Sequence, residues 1–374
     1  MTNPLKKLAE LGQSVWYDYI RRDLYEGGEL RRLIEEDGLS GMTSNPTIFQ
    51  KAIAETQLYD ASIRRLSGRG VSGPALFEAL EVEDVRAAAD VFRPVFDRTG
   101  GDDGFVSIEV NPALSHDTEG TVSEARRLWR ACDRPNVMVK IPGTTEGIPA
   151  IRAALAEGIN INITLLFSVA RHREVMEAYL SALESRVAAG QPVDGIRSVA
   201  SFFVSRVDTL VDKKLETLAA SGPDHRQQRA RALRGKVAIA NARLAYEAFE
   251  QTFAGERHRA LAAKGAKRQR PLWASTSTKD PAYPPLYYVE ALVAPDSVDT
   301  MPPETYARYA KEGQPQVRIH DDLAGARETL RGLAEVGLDV AAVAAELEAD
   351  GEKKFVASFE QVVKAVEEKT KAVA

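Results

Sequence analysis

Short apolar runs that end in polar or turn residues recur along the chain, and longer segments with apolar residues at helical spacing separate them. The runs in the middle of the chain are almost continuously hydrophobic rather than alternating. Runs of this kind are typical of strands buried on both faces of a parallel sheet. The pattern therefore predicts eight strands, at Ser14–Asp18, Gly38–Pro46, Phe105–Pro112, Asn136–Gly143, Gly158–Ser168, Ile196–Arg206, Pro271–Asp280 and Leu286–Val293.

The segments between these runs predict helices. In Pro74–Val91 the apolar residues recur at the three- and four-residue spacing of one helix face. The stretch Thr121–Glu124 has the form of a capping box and predicts that a helix begins there. Further helices are expected at Gly147–Ala156, Val169–Ala189 and Val207–Ala220.

Eight strands that alternate with helices predict a (β/α)8 TIM barrel. The alternative is an open doubly wound sheet, which usually has fewer strands and a glycine-rich first turn. The 374 residues exceed the usual barrel length of about 250 but lie within the range that insertions produce. We expect one domain over residues 1–374, with helical insertions near 51–104 and 210–270 and a helical C-terminal tail after about Gly313, because no linker-like or repetitive tract interrupts the chain.

Composition and charge narrow the possible functions. A net charge of −5 disfavours nucleic acid as a partner. We expect no membrane association, because the chain has neither a signal-peptide core nor a run of about 20 apolar residues. The five histidines are scattered singly, so no metal site is expected. The lone Cys132 cannot form an internal disulfide and is typical of the reducing cytoplasm.

Polar residues stand at the carboxyl ends of the predicted strands, and in a barrel these ends form the rim where active sites lie. Lys140 directly follows the apolar run Val137–Val139, where an ammonium ion is costly to dehydrate. The predicted eighth strand offers mainly Glu290, which can equally be structural. The other candidates at this rim are Asp18, Asn45, Glu109, Asn162, Thr164, Ser201, Arg206, Ser275 and Lys279.

A buried lysine at this position has a chemical explanation. Apolar surroundings disfavour the charged form of an amine, and a neutral amine attacks a carbonyl to form a Schiff base. The carboxylates of Asp18 and Glu109 suit the proton transfers around this step. A water held by Glu109 and Thr164 would serve the formation and breakdown of the carbinolamine, and Asp18 would take the proton from the substrate hydroxyl.

The two cations at the rim suggest an anionic substrate. Arg206 and Lys279 would hold a group such as phosphate, and Ser275 would donate a hydrogen bond to the same group.

Each candidate also has a structural interpretation, which the sequence leaves open. A lone lysine at a strand end is more often exposed or ion-paired, and Asp18 can cap the next helix. Asn45 before Pro46 can make a turn, and Arg206 can pair with Asp208. The catalytic interpretation is favoured because seven predicted strands deliver such residues to one rim.

The strand motifs resemble those of the transaldolases. GMTSNPTIF, SIEVNPALSHDT and VMVKIPGTTEGIPAI resemble the second, third and fourth strands of that family, and the last surrounds its Schiff-base lysine. GININITLLFS and SVASFFVSRVDT resemble the fifth and sixth strands. WASTSTKDPAYPPLYYVEALVAPDSVDTMPP resembles the seventh and eighth strands of the longer bacterial subfamily. The resemblance runs from about Lys7 to the C-terminus and implies a class I aldolase barrel without cofactor or metal.

The resemblance also implies an activity and its partners. A dihydroxyacetone unit would move from sedoheptulose 7-phosphate or fructose 6-phosphate to glyceraldehyde 3-phosphate or erythrose 4-phosphate, in the non-oxidative pentose phosphate pathway. The expected partners are these sugar phosphates, and the expected state is a monomer or homodimer. The implied roles are Lys140 as nucleophile, Asp18 and Glu109 as the acid/base pair, Thr164 for the catalytic water, Asn45, Asn162 and Ser201 for substrate hydroxyls, and Arg206, Ser275 and Lys279 for phosphate.

The chain departs from its subfamily after the seventh strand, where TGTKN is replaced by a sequence with Ser277 and Asp280. Asp280 beside Lys279 would weaken the positive charge that phosphate needs. One alternative is a fructose 6-phosphate aldolase, but Glu109 on the third strand favours a transaldolase. The other is a deoxyribose-phosphate aldolase, in which the resemblance would place the lysine on strand six rather than strand four. A degenerate barrel that only binds ligands is disfavoured by the intact Lys140 and its two carboxylates.

Overall fold

The computed structural model describes residues 3–221 and 223–373. Within them, eight parallel strands form a closed barrel in chain order, and the last strand pairs with the first. The predicted (β/α)8 barrel is therefore confirmed. The strands are β1 (Gln13–Asp18), β2 (Gly41–Thr43), β3 (Phe105–Glu109), β4 (Val137–Pro142), β5 (Ile161–Leu166), β6 (Ser198–Phe203), β7 (Arg270–Ala274) and β8 (Ser297–Met301).

Helices surround the barrel, and several begin at a proline or at a capping asparagine, aspartate or serine. A π-helical turn spans Leu33–Asp37 and a 3-10 turn spans Pro112–Leu114. The helices are α1 (Pro4–Glu10), α2 (Arg22–Glu26), α3 (Glu29–Arg32), α4 (Pro46–Glu55), α5 (Asp60–Ser67), α6 (Gly73–Arg98), α7 (Thr118–Cys132), α8 (Gly147–Ala156), α9 (Val169–Ala188), α10 (Ser205–Ala220), α11 (Asp224–Leu233), α12 (Val237–Phe253), α13 (Glu256–Ala262), α14 (Tyr287–Ala291), α15 (Pro303–Glu312), α16 (Leu323–Glu335) and α17 (Val340–Val373).

The eighth strand lies further along the chain than the sequence pattern predicts. The segment Leu286–Val293 was expected to be β8, but it contains the short helix α14. Two prolines directly before it favour a helix start over continued strand pairing. The true strand pairs with β1 and β7, and its sequence SVDTM is too polar to stand out as an apolar run. Glu290 consequently lies on α14, 3.3 Å from Arg318, in a structural ion pair.

The start of α7 also differs from the prediction. The helix begins at Thr118, and the carboxylate of Asp117 accepts a hydrogen bond from Gly120 N at 2.9 Å. The predicted capping box at Thr121 is wrong because its hydroxyl donates to Leu114 O instead. The predicted helix Gly147–Ala156 is confirmed as α8 with the same bounds.

The amino-terminal face of the barrel is held by buried polar contacts. Trp16 Nε1 donates to Asp103 at 2.8 Å, and Arg270 donates to Ser14 at 2.7 Å. The indole of Trp16 packs against Gly41, where a Cβ would lie only 2.5 Å from the ring, so β2 requires glycine at this position. These contacts join β1, β2 and β7 at the end away from the candidate site, where a barrel is usually built for stability.

The C-terminal helix α17 spans 34 residues and packs against α4, α5 and α6. At its far end Lys369 Nζ donates to Ile53 O at 2.9 Å and pairs with Asp60 at 3.2 Å. In its first half Gly351 lies so close to Leu165 of β5 that a Cβ would be 2.9 Å from Leu165 Cδ2. The helical tail therefore reaches the carboxyl-terminal face of the barrel. None of the helices in the described ranges has the length and apolar character needed to cross a bilayer.

Candidate active site

A cavity of about 1240 Å³ lies over the carboxyl ends of the strands, between the barrel and α17. Glu109 is linked to it through an ion pair with Lys140, and Asn162 lies buried beneath its floor. The other eight residues expected at the rim all line it: Asp18, Asn45, Lys140, Thr164, Ser201, Arg206, Ser275 and Lys279.

Lys140 is buried near the end of β4, whose six residues are all buried. Its amine donates to Ser44 O at 3.3 Å and lies 3.5 Å from Glu109 Oε2. The centre of the Phe355 ring, from α17, is 5.5 Å away. With 6% of its surface exposed, Lys140 is not the solvent-facing lysine of the alternative interpretation. The amine is instead held at the cavity floor between a carboxylate and an aromatic ring.

Asp18 ends β1 and accepts a hydrogen bond from Thr43 Oγ1 at 2.8 Å. Thr43 is in turn 2.7 Å from the hydroxyl of Thr300 on β8. Asp18 does not cap the next helix, because Arg21 occupies the cap position of α2. Burial raises the pKa of Asp18, and the charge of Lys140 and the Thr43 bond only partly oppose this. The carboxylate is therefore a stronger base than aspartate in water.

Glu109 ends β3 opposite Lys140, with which it is paired in the β3–β4 register. Its Oε2 faces the amine, whereas its Oε1 is buried without a hydrogen-bond partner among the described residues. Burial raises the pKa of Glu109, Lys140 lowers it, and the charge of Asp18 adds to the increase. The site therefore has two carboxyl groups with raised proton affinity, as general acid–base catalysis needs.

Thr164 reaches the cavity because β5 is irregular at this point. The pairing with β6 shifts between Ile163 and Leu166, and Leu165 has a left-handed backbone with φ of 62°. Such a backbone is costly for a non-glycine residue and is often found at functional sites. The hydroxyl of Thr164 is buried with no hydrogen-bond partner in the described ranges, so it can bind a water or substrate oxygen.

Three side chains with amide or hydroxyl groups form the polar floor and wall. Ser201 Oγ donates to Asn162 Oδ1 at 2.7 Å, and Asn162 Nδ2 donates to Ser107 Oγ at 3.0 Å. Asn45 accepts from Ile48 N at 3.2 Å and so caps α4, as its structural interpretation suggests, but it also lines the cavity. Its amide nitrogen remains as a donor toward a ligand.

Arg206 lies on α10 and lines the cavity. Its guanidinium carbon is 5.1 Å from the centre of the Phe203 ring, and its buried Nη1 has no hydrogen-bond partner among the described residues. It does not pair with Asp208, which accepts from Ala238 N at 2.7 Å and Tyr288 Oη at 3.1 Å. Burial lowers the pKa of Arg206, against the opposing charges of Asp350 and Asp18. An unsatisfied buried guanidinium N–H is a natural contact for an anionic ligand.

Ser275 and Lys279 follow β7 and also line the cavity. Ser275 has a left-handed φ of 56°, and its hydroxyl is 3.0 Å from that of Ser205. Lys279 is exposed at the edge of the cavity. Asp280 pairs with Arg234 at 3.3 Å, so this carboxylate has a cationic partner other than Lys279.

Sequence reasoning missed part of the cavity. Thr300 was lost with the misplaced β8, and the residues of α17 carry no local signal for where the helix docks. The lining has eight basic and five acidic side chains, although the whole chain is acidic. This local excess of positive charge favours anionic substrates. The basic residues not foreseen are Arg21, Lys51, Lys213, Lys353 and Lys354.

A closed (β/α)8 barrel that holds a buried lysine and two carboxyl groups at its carboxyl-terminal face has the architecture of the class I, Schiff-base aldolases. Comparison with known proteins gives the family. Residues 15–366 match the family described as Transaldolase/Fructose-6-phosphate aldolase, and the chain belongs to it.

Individual relatives agree with this assignment. A protein named transaldolase from Thermobifida fusca is 50% identical over 366 residues, which cover 97% of each chain. One named transaldolase 2 from Nostoc is 44% identical over 99% of this chain and 98% of its own. One named transaldolase 1 from Streptomyces coelicolor is 48% identical over 97% of this chain and 93% of its own.

Proposed function

We propose that this protein is a transaldolase of the non-oxidative pentose phosphate pathway. It transfers a dihydroxyacetone unit from sedoheptulose 7-phosphate or fructose 6-phosphate to glyceraldehyde 3-phosphate or erythrose 4-phosphate. The observation that carries the proposal is the buried amine of Lys140, 3.5 Å from Glu109, in a cavity that Asp18 and Arg206 also line; Arg206 Nη1 has no hydrogen-bond partner among the described residues.

The first half of the reaction forms the imine. Neutral Lys140 attacks the ketone carbon of the donor and gives a carbinolamine. Glu109, through a water held with Thr164, gives a proton to the departing hydroxyl, which leaves as water. Both groups have an unpaired buried oxygen that suits this role. The iminium that results is the electron sink, so the reaction needs no other cofactor.

The second half breaks and remakes a carbon–carbon bond. Asp18 takes the proton from the donor hydroxyl, the adjacent carbon–carbon bond breaks, and its electron pair flows into the iminium to give an enamine. The aldose phosphate leaves, and a second aldose phosphate takes its place. The enamine carbon attacks the new aldehyde, Asp18 returns the proton, and hydrolysis frees Lys140 and the product.

The remaining residues hold the substrate. Arg206, Ser275 and Lys279 bind the phosphate, and the positive lining of the cavity supports this assignment. Asn45, Asn162 and Ser201 hold the hydroxyls of the three-carbon unit. The polar chain from Ser107 through Asn162 to Ser201 fixes the orientation of these groups in advance.

We also propose that residues 1–374 form one domain in a cytoplasmic protein. One hydrophobic core cluster of the described residues includes both barrel strands and α17, which supports the single domain. The lone Cys132 is buried, as expected for a thiol in a reducing compartment.

Borohydride trapping tests the proposal. Reduction in the presence of fructose 6-phosphate, followed by peptide mapping, should place the label on Lys140. Lys140→Ala should keep the circular dichroism spectrum and lose the label, whereas Lys264→Ala, an exposed lysine before β7, should keep both. A label on another lysine, or near wild-type activity of Lys140→Ala, would refute the mechanism.

Addition of erythrose 4-phosphate separates transfer from cleavage. A transaldolase should form sedoheptulose 7-phosphate and glyceraldehyde 3-phosphate. A fructose 6-phosphate aldolase should instead release free dihydroxyacetone without an acceptor.

A further inference from the structure

A second cavity of about 320 Å³ lies among residues of α6, α7, β3 and α17 and touches the candidate site at Glu109. Glu109 lines this cavity, while the Lys140 with which it pairs lines the first one. Glu109 Oε1 is buried without a hydrogen-bond partner in the described residues. Glu109 therefore links the catalytic amine to a separate space behind it.

The second cavity contains another buried carboxyl group, that of Glu81 on α6. Only 5% of Glu81 is exposed, and no ion pair joins it to a cation within the described residues. Its neighbour one turn earlier, Glu78, lines the same cavity but pairs with Arg127 of α7. A buried carboxyl without a cationic partner is costly to a fold, so its presence needs an explanation.

The cavity offers a path to water. Its lining includes Pro74 and Ala75 at the start of α6, which are exposed. Its volume exceeds what one water molecule needs. Glu81, Glu109 and Asn111 supply polar groups to hold such water. A chain of water can thus join bulk solvent, Glu81 and Glu109 without passing through the substrate cavity.

We propose that Glu81 is a positioning residue that acts through Glu109 by storing a proton in the second cavity and delivering it to Glu109 through water. This inference rests on the proposed function, because it concerns the acid/base steps of the Lys140 imine. Through this relay Glu109 can regain its proton while substrate fills the first cavity.

The proton balance is simple. When the carbinolamine loses water, Glu109 gives its proton to the departing hydroxyl and becomes a carboxylate. The O–H bond of Glu81 then breaks, a water passes the proton on, and a new O–H bond forms on Glu109. Solvent at the exposed end of the cavity restores the proton of Glu81. In imine hydrolysis the same steps run in reverse.

The charges around Glu81 favour a stored proton on this residue. Burial raises the pKa of Glu81 well above its usual range, the carboxylates of Glu109, Glu78 and Asp84 add to this, and Lys140 opposes it. Glu81 therefore carries a proton in the resting site, and this proton is the reserve on which an ionised Glu109 draws. The other groups that face this region are Glu124, Arg127 and Cys132 of α7, and α17 supplies the apolar Phe359.

The test compares Glu81→Gln with Asp97→Asn in the full chain. Glu81→Gln keeps the shape of the side chain but has no proton to exchange. Its kcat should fall by about tenfold or more, while KM changes less than about twofold. Borohydride trapping at a fixed early time should slow in parallel. Asp97→Asn removes an exposed carboxylate from the same helix, outside the lining of the cavity, and should leave kcat unchanged.

Two further readouts distinguish proton storage from a merely structural role. The alkaline limb of the kcat–pH profile should move to lower pH in Glu81→Gln, because Glu109 then loses its proton without a reserve. The melting temperature should stay equal or rise, because a buried unpaired acid has been removed. Glu81→Asp, which keeps the proton, should retain more activity than Glu81→Gln.

The outcomes are separable from those of the proposed function. If wild type is trapped at Lys140 and Glu81→Gln has the kcat and pH profile of wild type, the role of Glu81 is refuted. If wild type itself is not trapped, the proposed function fails, whatever Glu81→Gln does.

Discussion

The amine of Lys140 lies 5.5 Å from the centre of the Phe355 ring, so the C-terminal helix supplies one wall of the environment of this amine. Phe355 is itself buried and lines the substrate cavity. An aromatic face attracts an ammonium ion by about 0.5–2 kcal/mol. The same ring keeps water away from the amine, and hydration stabilises an ammonium ion more strongly than the ring does.

Substitution of Phe355 should separate these two effects. Phe355→Ala removes the aromatic wall and admits water beside the amine, so it should slow imine trapping by about tenfold. Phe355→Leu keeps water out without the π attraction and should trap at least as fast as wild type. Equal rates for both variants would contradict a role for the ring in excluding water.

Gly351→Ala should change the free energy of unfolding in opposite directions in the wild type and in a Leu165→Ala background. In a helix interior Ala is favoured over Gly by about 1 kcal/mol, but a Cβ here would meet Leu165 at 2.9 Å, and overpacking costs about 1–3 kcal/mol. Gly351→Ala should therefore destabilise the wild type. In a Leu165→Ala background the same substitution should stabilise, because the clash is gone. Urea denaturation of the four proteins measures this, and equal effects in both backgrounds would contradict the contact.

Asp299 should make stability fall as pH rises. It is fully buried on β8, with one bond from Thr276 at 3.1 Å, and burial raises its pKa to about 8. Because the folded state holds this proton more tightly than the unfolded chain, the stabilisation is complete below about pH 4 and is lost as pH rises through 8. The loss from this group is about 1.4 kcal/mol per pH unit in that window.

Asp299→Asn removes this dependence while keeping an acceptor for Thr276. The variant should therefore gain stability relative to wild type as pH rises from about 5 to 8, in denaturation experiments. Asp296→Asn, at an exposed position before β8, is the matched control. Wild type and Asp299→Asn with parallel stability–pH curves would show that Asp299 is not protonated in the fold.

Arg206 and Lys279 should contribute unequally to phosphate binding. Arg206 has a buried unpaired Nη1, whereas Lys279 is exposed. A buried charge-assisted contact is worth about 1.5–3 kcal/mol and an exposed one less than about 1. Arg206→Ala should raise KM for fructose 6-phosphate by about 10- to 100-fold, and Lys279→Ala by less than about fivefold. KM for an unphosphorylated ketose donor should change little in either variant. A larger increase in KM for Lys279→Ala than for Arg206→Ala would reverse the assignment.

The barrel could be predicted because most of its strands are apolar throughout. Continuously apolar runs such as Val137–Val139 are typical of strands in a parallel sheet that is covered on both faces. The eighth strand could not be found in this way, because three of its five residues, Ser297, Asp299 and Thr300, are polar and interrupt the apolar run. They are buried where the strand pairs with β1 and β7. Tyr287, Tyr288 and Val289 suit a strand by intrinsic preference, yet tertiary packing places them in a helix.

The candidate site was foreseeable where strand order alone sets position. Lys140 and Glu109 end adjacent strands, so their approach follows from the barrel itself. The approach of Phe355 and the cavity that joins Glu81 to Glu109 depend on where α6 and α17 dock. Such contacts between distant segments are fixed by three-dimensional packing and leave no local pattern in the sequence.

The placement of α17 has a consequence for biosynthesis. All eight strands leave the ribosome before residues 340–373 do, so the ring of strands can close on a nascent chain while Lys140 is still open to water on one side. The last wall around the amine is therefore added only with the final helix, after all eight strands have been made.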